Sequence, residues 1–273
     1  MIKLLILGPT GNTSRLIAKL AFEDDEIEVV AACDISHIDE ELGFIIGVND
    51  PNKIRITDIK DLQKVINETR PDVAVDFTVA KATEINCIKC VENGIRCVIG
   101  TTALSNDFFI KMEGHIKRYN APAVISSNMA TGVNVLFKMV SILTNYLSDW
   151  DIEVLEAHHH RKLDSPSGTA FTLARNISNS LGVKIEDVAK FGRGKGPNKR
   201  QIGAKNEIGI HSIRAGDIVG DHTILYAGSG ERIELKHQAH SRNCFASGAI
   251  TAIKFIMNAI ERKIYTTYEV LGL

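Results

Sequence analysis

Residues 156–170 read Glu-Ala-His-His-His-Arg-Lys-Leu-Asp-Ser-Pro-Ser-Gly-Thr-Ala, which gathers imidazoles, fixed cations and a helix start in one short stretch. An imidazole changes charge near neutral pH, so His158 and His159 are candidates for proton transfer and for contact with a polar substrate. Residues 151–155 alternate polar and apolar side chains as a half-buried strand does, and 170–181 carry apolar residues at helical spacing. Between them, Ser165 is expected to cap the helix and Pro166 to fill its first position. The backbone N–H groups of Ser167, Gly168 and Thr169 would then lie at the positive end of that helix, a cradle for a carboxylate or phosphate. Lys162 and Arg161 beside it point to an anionic ligand, while Asp164 reads as a local hydrogen bonder. Three consecutive histidines have an alternative reading as a surface metal patch. Neighbours on an extended chain face opposite ways, however, and the segment has no cysteine, so no metal is expected.

Such groups need a scaffold, and the first half of the chain alternates strands and helices. Apolar runs at 2–7, 27–33, 73–77, 97–99 and 124–126 read as strands. Helical patterns run from the first glycine turn to about Phe22 and over 59–68, 83–92 and 106–119. Buried strands separated by helices predict a parallel, doubly wound sheet of Rossmann type. Residues 35–57 read as an irregular surface loop.

In such a sheet the first strand-to-helix turn takes the pyrophosphate of a dinucleotide. Here that turn is Gly8-Pro9-Thr10-Gly11-Asn12-Thr13, followed by Ser14. Asp34, at the end of the second strand, is placed to bind the adenosine ribose diol and to repel a 2′-phosphate. No Arg or Lys follows it, so NADH is expected to be preferred, with NADPH possible. Gly100-Thr101-Thr102 and Ser126-Ser127-Asn128-Met129 fall at later strand ends and are candidates for holding the nicotinamide side. Asp76-Phe77-Thr78 is a weaker third.

Past residue 131 the pattern changes. A helix is expected over 133–147, then the strand, loop and helix around His158. The basic stretch 192–200 reads as a mobile, solvated loop with the option of lying over an anionic ligand. Runs at 208–214, 219–227 and 232–238, separated by glycine turns, look like antiparallel strands of a second sheet. A helix over 244–262 closes the chain.

With 273 residues, 44% of them apolar, the chain can bury a large core or two modest ones. A net charge of −1 gives no general attraction to nucleic acid or to membranes. No apolar run reaches the roughly 20 residues that span a bilayer. The N-terminus reads as a strand rather than a signal peptide, and five scattered cysteines suit a cytoplasmic setting. Cys87 and Cys90 form a C-x-x-C pair inside an expected helix and read as packing residues.

Glu156-x-His158-His159-x-x-Lys162-x-Asp164-x-Pro166-Ser167-Gly168-Thr169-Ala170 resembles the signature of the 4-hydroxy-tetrahydrodipicolinate reductase (dihydrodipicolinate reductase) family. The likeness extends to Arg214-Ala215-Gly216-Asp217-Ile218-Val219-Gly220-Asp221-His222-Thr223, to the glycine turn, to Gly100-Thr101-Thr102 and to Ser241-Arg242 with the closing helix. The resemblance implies a dinucleotide-binding domain, 1–129 completed by 240–273. It also implies a substrate-binding domain, 130–239, with a mixed, largely antiparallel sheet through which a homotetramer forms. The activity implied is NAD(P)H-dependent reduction of a cyclic imine dicarboxylate on the diaminopimelate route to lysine. In that reading His158 exchanges a proton, Lys162 is a second proton donor and His159 contacts the substrate. Gly168 with Thr169 holds a substrate carboxylate, in the cradle that Ser167 begins. Asn12, Thr13 and Ser14 depart from the family's basic residue, Met and third Gly, which removes a charged phosphate contact. Two rivals are a non-catalytic dinucleotide sensor and another nicotinamide-dependent dehydrogenase of amino-acid metabolism. A sensor needs no acid/base set, and an aspartate-semialdehyde dehydrogenase relative would need a suitably bracketed catalytic cysteine.

Overall fold

Six consecutive residues, mostly apolar, make β1 (Ile2–Leu7) a strand buried on both sides. Leu4 and Ile6 enter one core while Leu5 and Leu7 enter another, as the two-residue period of a strand requires. The computed structural model describes residues 1–200 and 207–273. They fall into two units, Met1–Thr131 with Arg242–Leu273, and Gly132–Ser241.

The first unit continues with α1 (Asn12–Phe22), β2 (Ile27–Asp34), α2 (Leu42–Ile46) and β3 (Ile56–Asp58). A 3-10 turn at Ile59–Asp61 leads into α3 (Leu62–Thr69), then β4 (Val73–Asp76), α4 (Ala80–Glu92), β5 (Arg96–Ile99), α5 (Asn106–Tyr119) and β6 (Ala123–Ile125). The segment 35–57 is thus no plain loop. Leu42 and Ile56 are fully buried in the core beside β1, and that burial draws the segment into a short helix and an added strand.

The second unit runs through α6 (Thr131–Tyr146), β7 (Asp151–His158), α7 (Gly168–Ser180), α8 (Ile185–Val188) and β8 (Ala189–Phe191), then β9 (Ile208–Arg214), β10 (Gly220–Ala227) and β11 (Arg232–Ala239). Its sheet has the order β11-β10-β7-β9-β8. β10 is antiparallel to both β11 and β7. β9 runs opposite to its successor β10, as expected, but is not its neighbour: it pairs in parallel with β7 and β8. The chain reaches it from β7 by way of α7, and a helical crossover delivers a parallel neighbour. Along β7, Ile152, Val154, Glu156 and His158 are the buried alternate positions, so the two ionisable groups share a face with the core.

The chain returns to the first unit as α9 (Asn243–Met257), β12 (Ile264–Tyr265) and α10 (Thr267–Leu271). The expected closing helix therefore stops at Met257, and Ile264 and Tyr265 add a strand beside β6. The completed sheet has seven strands in the order β12-β6-β5-β4-β1-β2-β3, each pair parallel. This is the doubly wound, Rossmann-like architecture expected from the sequence. Its strand order reverses at β1, between β2 and β4, which opens a crevice at the carboxyl ends of β1 and β4.

Candidate active site

Gly8 turns the chain out of β1 with φ +68°, and a Cβ there would lie 2.4 Å from Thr78 Cγ2. Glycine is required for both reasons. Gly11 is the N-cap of α1 and offers no side chain to cap it. The first-turn N–H groups of α1 are therefore left for an anion. Asn12 is exposed and Thr13 half-buried at that helix start, and Pro9 is buried under the turn. Asp34 accepts hydrogen bonds from Thr10 N (3.2 Å), Thr10 Oγ1 (2.8 Å) and Ile35 N (2.7 Å), which lock it against the glycine turn. A cavity of about 500 Å³ opens beside it, lined by Gly11, Asp34, Ile35, Ile85 and Lys81 among others. Apolar walls with a carboxylate at one edge fit the adenosine half of a dinucleotide.

The later strand ends are less open than the sequence suggests. Thr101 is buried, with its hydroxyl 2.8 Å from Thr83 Oγ1, inside a cluster centred on buried Asp76. Its side chain therefore faces the core, because Asp76 needs donors from Thr78, Thr83 and Thr101. Gly100 is needed to admit Phe77, whose Cε1 would sit 2.0 Å from an added Cβ. Thr102 and Ser127 are exposed. Ser126 donates to Asn128 O at 2.8 Å, and Asn128 Oδ1 accepts from Ala130 N at 3.0 Å. The Met129 side chain is buried, which leaves only its backbone as a contact. Cys87 and Cys90 are fully buried, and burial contributes to raising both thiols, Cys87 to about 12. They pack, as expected.

In the second unit, β7 ends at His158. Its Nδ1 lies 2.5 Å from Glu156 Oε2, two residues back on the same face. Arg214 of β9 donates to both oxygens of that carboxylate, at 2.9 and 2.8 Å, and Ser167 N donates to Oε1 at 3.1 Å. His222 of β10 stands edge-on to His158, ring centres 5.3 Å apart, with its Nε2 3.2 Å from Ser167 Oγ. Burial pushes the His158 imidazole below its ordinary range, helped by Lys162 and Arg214 and opposed by Glu156. Burial would raise Glu156, but the hydrogen bonds from Arg214, His158, Ser212 and Ser167 outweigh it and hold the carboxyl at about 2. His158 is thus neutral and Glu156 ionised at pH 7.

α7 begins differently from expectation. Ser167, not Ser165, is the N-cap: its hydroxyl accepts from Ala170 N at 3.1 Å, and the helix starts at Gly168. Pro166 therefore precedes the cap. The Ser167 N–H and hydroxyl are both committed inside the protein, to Glu156 and to Ala170 and His222, so its predicted substrate contact is not available. Gly168 is exposed and Thr169 half-buried in the first turn of the helix, where Asp164 accepts from the Gly168 N–H. Lys162 pairs with Asp164 at 2.8 Å. Arg161 faces away, bound to Asp217 at 2.8 Å in the 215–217 turn, so of the two cations only Lys162 stays with His158. His159 carries a buried Nδ1 with no partner among the described residues, an orphaned polar atom that a ligand would satisfy.

The basic stretch 192–200 is not simply solvated. Arg193 and Arg200 both reach Glu153 of β7, Arg193 also reaches Glu207, and Arg200 pairs with Asp151 at 2.8 Å. Sequence reasoning gave no role to Glu156, Arg214 or His222, although all three stood in the quoted motifs. The alternation Glu156-x-His158 on a strand was the available signal.

Residues 2–129 match a family model described as dihydrodipicolinate reductase, N-terminus, and residues 132–271 match its C-terminus counterpart. A protein of Methanocaldococcus jannaschii named 4-hydroxy-tetrahydrodipicolinate reductase is 42% identical over 276 residues, covering 100% of this chain and 98% of that protein. A protein of the same name from Methanococcoides burtonii is 42% identical over 272 residues, covering 100% of both. Among solved structures, a dipicolinate-bound dihydrodipicolinate reductase from Paenisporosarcina sp. TG-14 superposes with a TM-score of 0.77 at 26% identity, covering 98% of each chain. An aspartate semialdehyde dehydrogenase from Vibrio cholerae, at 8% identity and a TM-score of 0.55 over 94% of this chain and 98% of that one, shares the fold alone.

Proposed function

We propose a role for each site residue from one premise: the chain belongs to the dihydrodipicolinate reductase family. It is an oxidoreductase of the diaminopimelate route to lysine, and its reaction is the NAD(P)H-dependent reduction of 4-hydroxy-tetrahydrodipicolinate to tetrahydrodipicolinate.

The first unit holds the dinucleotide. Gly8, Pro9, Thr10 and Gly11, with Asn12 and Thr13 opening α1, take the pyrophosphate, and Asp34 takes the adenosine ribose. Gly100, Thr102, Ser127 and the backbone of Ser126, Asn128 and Met129 border the nicotinamide side. When bound, the nicotinamide supplies the hydride that reaches ring C4. NADH is preferred, because a 2′-phosphate would meet the Asp34 carboxylate with no Arg or Lys after it to compensate.

The second unit holds the ring dicarboxylate. The end of α7 at Gly168 and Thr169 binds one carboxylate through backbone N–H groups, the Thr169 hydroxyl and the helix dipole. His159 offers its unpartnered Nδ1 as a further substrate contact. His158, neutral in the free protein, takes up a proton as the dianionic substrate binds and gives it up after hydride arrival to complete reduction. Lys162 is a second proton donor, assisting loss of the 4-hydroxyl and balancing developing charge. A homotetramer built through the second sheet and a cytoplasmic setting for five free thiols complete the reading.

The observation that carries it is the placing of His158, Lys162 and the α7 start around one strand end. The test is NADH oxidation with cyclic substrate made freshly from pyruvate and aspartate semialdehyde. His158→Gln is expected to lower kcat about 100-fold or more. Thr169→Val is expected mainly to raise KM. A His158→Gln enzyme with normal kcat would overturn the assignment.

A further inference from the structure

Glu156 is 1% exposed, and an ionised carboxylate so deeply buried persists only with partners on every side. Its contacts are all donors. Oε2 accepts from Arg214 at 2.9 Å and lies 2.5 Å from His158 Nδ1, Oε1 accepts from Arg214 at 2.8 Å and from Ser167 N at 3.1 Å, and the Ser212 side chain also donates to the carboxylate. A carboxylate can only accept, so the hydrogen of the neutral imidazole must sit on Nδ1 and the Nε2 lone pair must point away from Glu156. On that other edge stands Gly220, where a Cβ would come within 3.1 Å of Nε2. The remaining groups around His158 are Lys162, Arg214 and the edge of His222.

We propose that Glu156 is a positioning residue that fixes His158 as its Nδ1–H tautomer and ties that imidazole to the cap of α7. One carboxylate thereby sets both the proton-exchanging atom, Nε2, and the start of the helix that receives the substrate anion. Arg214 keeps the carboxylate ionised and stops it rotating between its partners. This inference rests on His158 being the proton-transfer group, and its test is chosen to be separable from that reading.

The whole chain, labelled with ¹⁵N histidine, gives the tautomer from its ring nitrogen resonances, with His158 assigned by the signal lost in His158→Gln. The wild-type protein at pH about 7.5 is expected to show Nδ1 protonated. In Glu156→Gln the amide oxygen still accepts from Arg214 and Ser167, so the NH₂ group faces Nδ1 and drives the ring to the Nε2–H form. In a Ser-His-Asp triad a wrongly set tautomer costs about 10⁴ in kcat, and here an NH₂ group against Nδ1 also keeps the ring from carrying the extra proton it must give. We expect a fall of at least about 100-fold, with substrate KM changed less than about threefold. Glu156→Asp, which keeps the charge, is expected to restore the Nδ1–H signal and part of kcat. A purely structural carboxylate would shift the unfolding midpoint and leave the tautomer alone.

An Nε2–H ring in the wild-type protein would overturn the proposal, whether or not the Gln variant folds. So would a Glu156→Gln protein that retains both tautomer and kcat. Normal turnover in His158→Gln defeats the proton-transfer reading instead, while the resonances still report what Glu156 does to the ring.

Discussion

The guanidinium of Arg214 grips both oxygens of Glu156, at 2.8 and 2.9 Å, from the position on β9 that lies in register with His158. The side chain of Glu156 is fully buried and that of Arg214 is 20% exposed, so the pair is poorly screened. Removing one partner of a buried pair leaves a charge with nowhere to go, a loss of about 3–5 kcal/mol. Arg214→Met is expected to lower unfolding free energy by that amount in urea titrations at pH 7. A loss below about 1 kcal/mol would mean that the ion pair gains no more than it costs in desolvation.

Acid should unfold the protein in two overlapping stages. Burial, with His158 nearby, holds His222 down at about 4 against an ordinary 6.5. The folded state resists that proton, so this stabilisation is present above pH 6.5 and is lost as pH falls from 6.5 to 4. Glu156 lies at about 2 against 4.5, so its contribution is present above 4.5 and is lost as pH falls towards 2. Each shift corresponds to a loss on the order of 3 kcal/mol. Unfolding free energies measured from pH 7 to pH 3 are expected to show the upper stage flattened in His222→Gln. An unchanged upper stage would place its origin in another group.

The parts that local pattern dictates were legible in the sequence. β1 is an apolar run, and α5 has an amphipathic face and a Ser105 hydroxyl that accepts Phe108 N–H at 3.1 Å. The misread parts are those where a distant residue decides. Ser165-Pro166 has the local chemistry of a helix start, yet Glu156 captures the Ser167 N–H and moves the cap two residues on. Arg193 and Arg200 look solvated until Glu153, some forty residues back on β7, is placed beneath them. Glu156 itself gained a role only once β9 and β10 were known to flank β7. Its partners lie 58 residues away in Arg214 and 11 in Ser167.

Gly248 sits inside α9, where sequence reasoning counts glycine as a weakness of up to about 1 kcal/mol relative to alanine. In the folded chain a Cβ there would stand 1.7 Å from the backbone oxygen of Met129, so helix and strand-end loop touch through this position. Backbone cannot swing aside as a side chain can. Gly248→Ala is therefore expected to destabilise by about 1–3 kcal/mol, against its helix propensity. A rise in the thermal midpoint would show that the contact relaxes freely.

Asp34 is held by Thr10 and Ile35 at the edge of the cavity beside the glycine turn. A fixed carboxylate discriminates by repelling a 2′-phosphate as well as by binding a diol. Wild-type kcat/KM is expected to favour NADH over NADPH. Asp34→Ser should shrink that ratio about tenfold or more, mostly by weakening NADH. A ratio that starts in favour of NADPH, or that Asp34→Ser leaves unchanged, would remove Asp34 from cofactor selection.

Lys162 carries a test of the site that needs no turnover. Burial is the main cause of the low His158 pKa, and Lys162 and Arg214 push it the same way while Glu156 pulls it up. Lys162→Met removes one of the two cations and leaves the Glu156 pair intact, so the imidazolium becomes easier to form. The His158 ring, followed by NMR through a pH titration, is expected to titrate at higher pH in that variant than in the wild-type protein. Binding a dianionic substrate analogue should move it upward as well, because negative charge nearby favours the protonated ring. The same reasoning puts the alkaline limb, where His158 loses the proton it must donate, at higher pH in kcat than in kcat/KM, since the first reports the complex and the second the free enzyme. A His158 titration that ignores both the loss of Lys162 and the arrival of a dianion would mean that neither charge lies close enough to this imidazole to tune it.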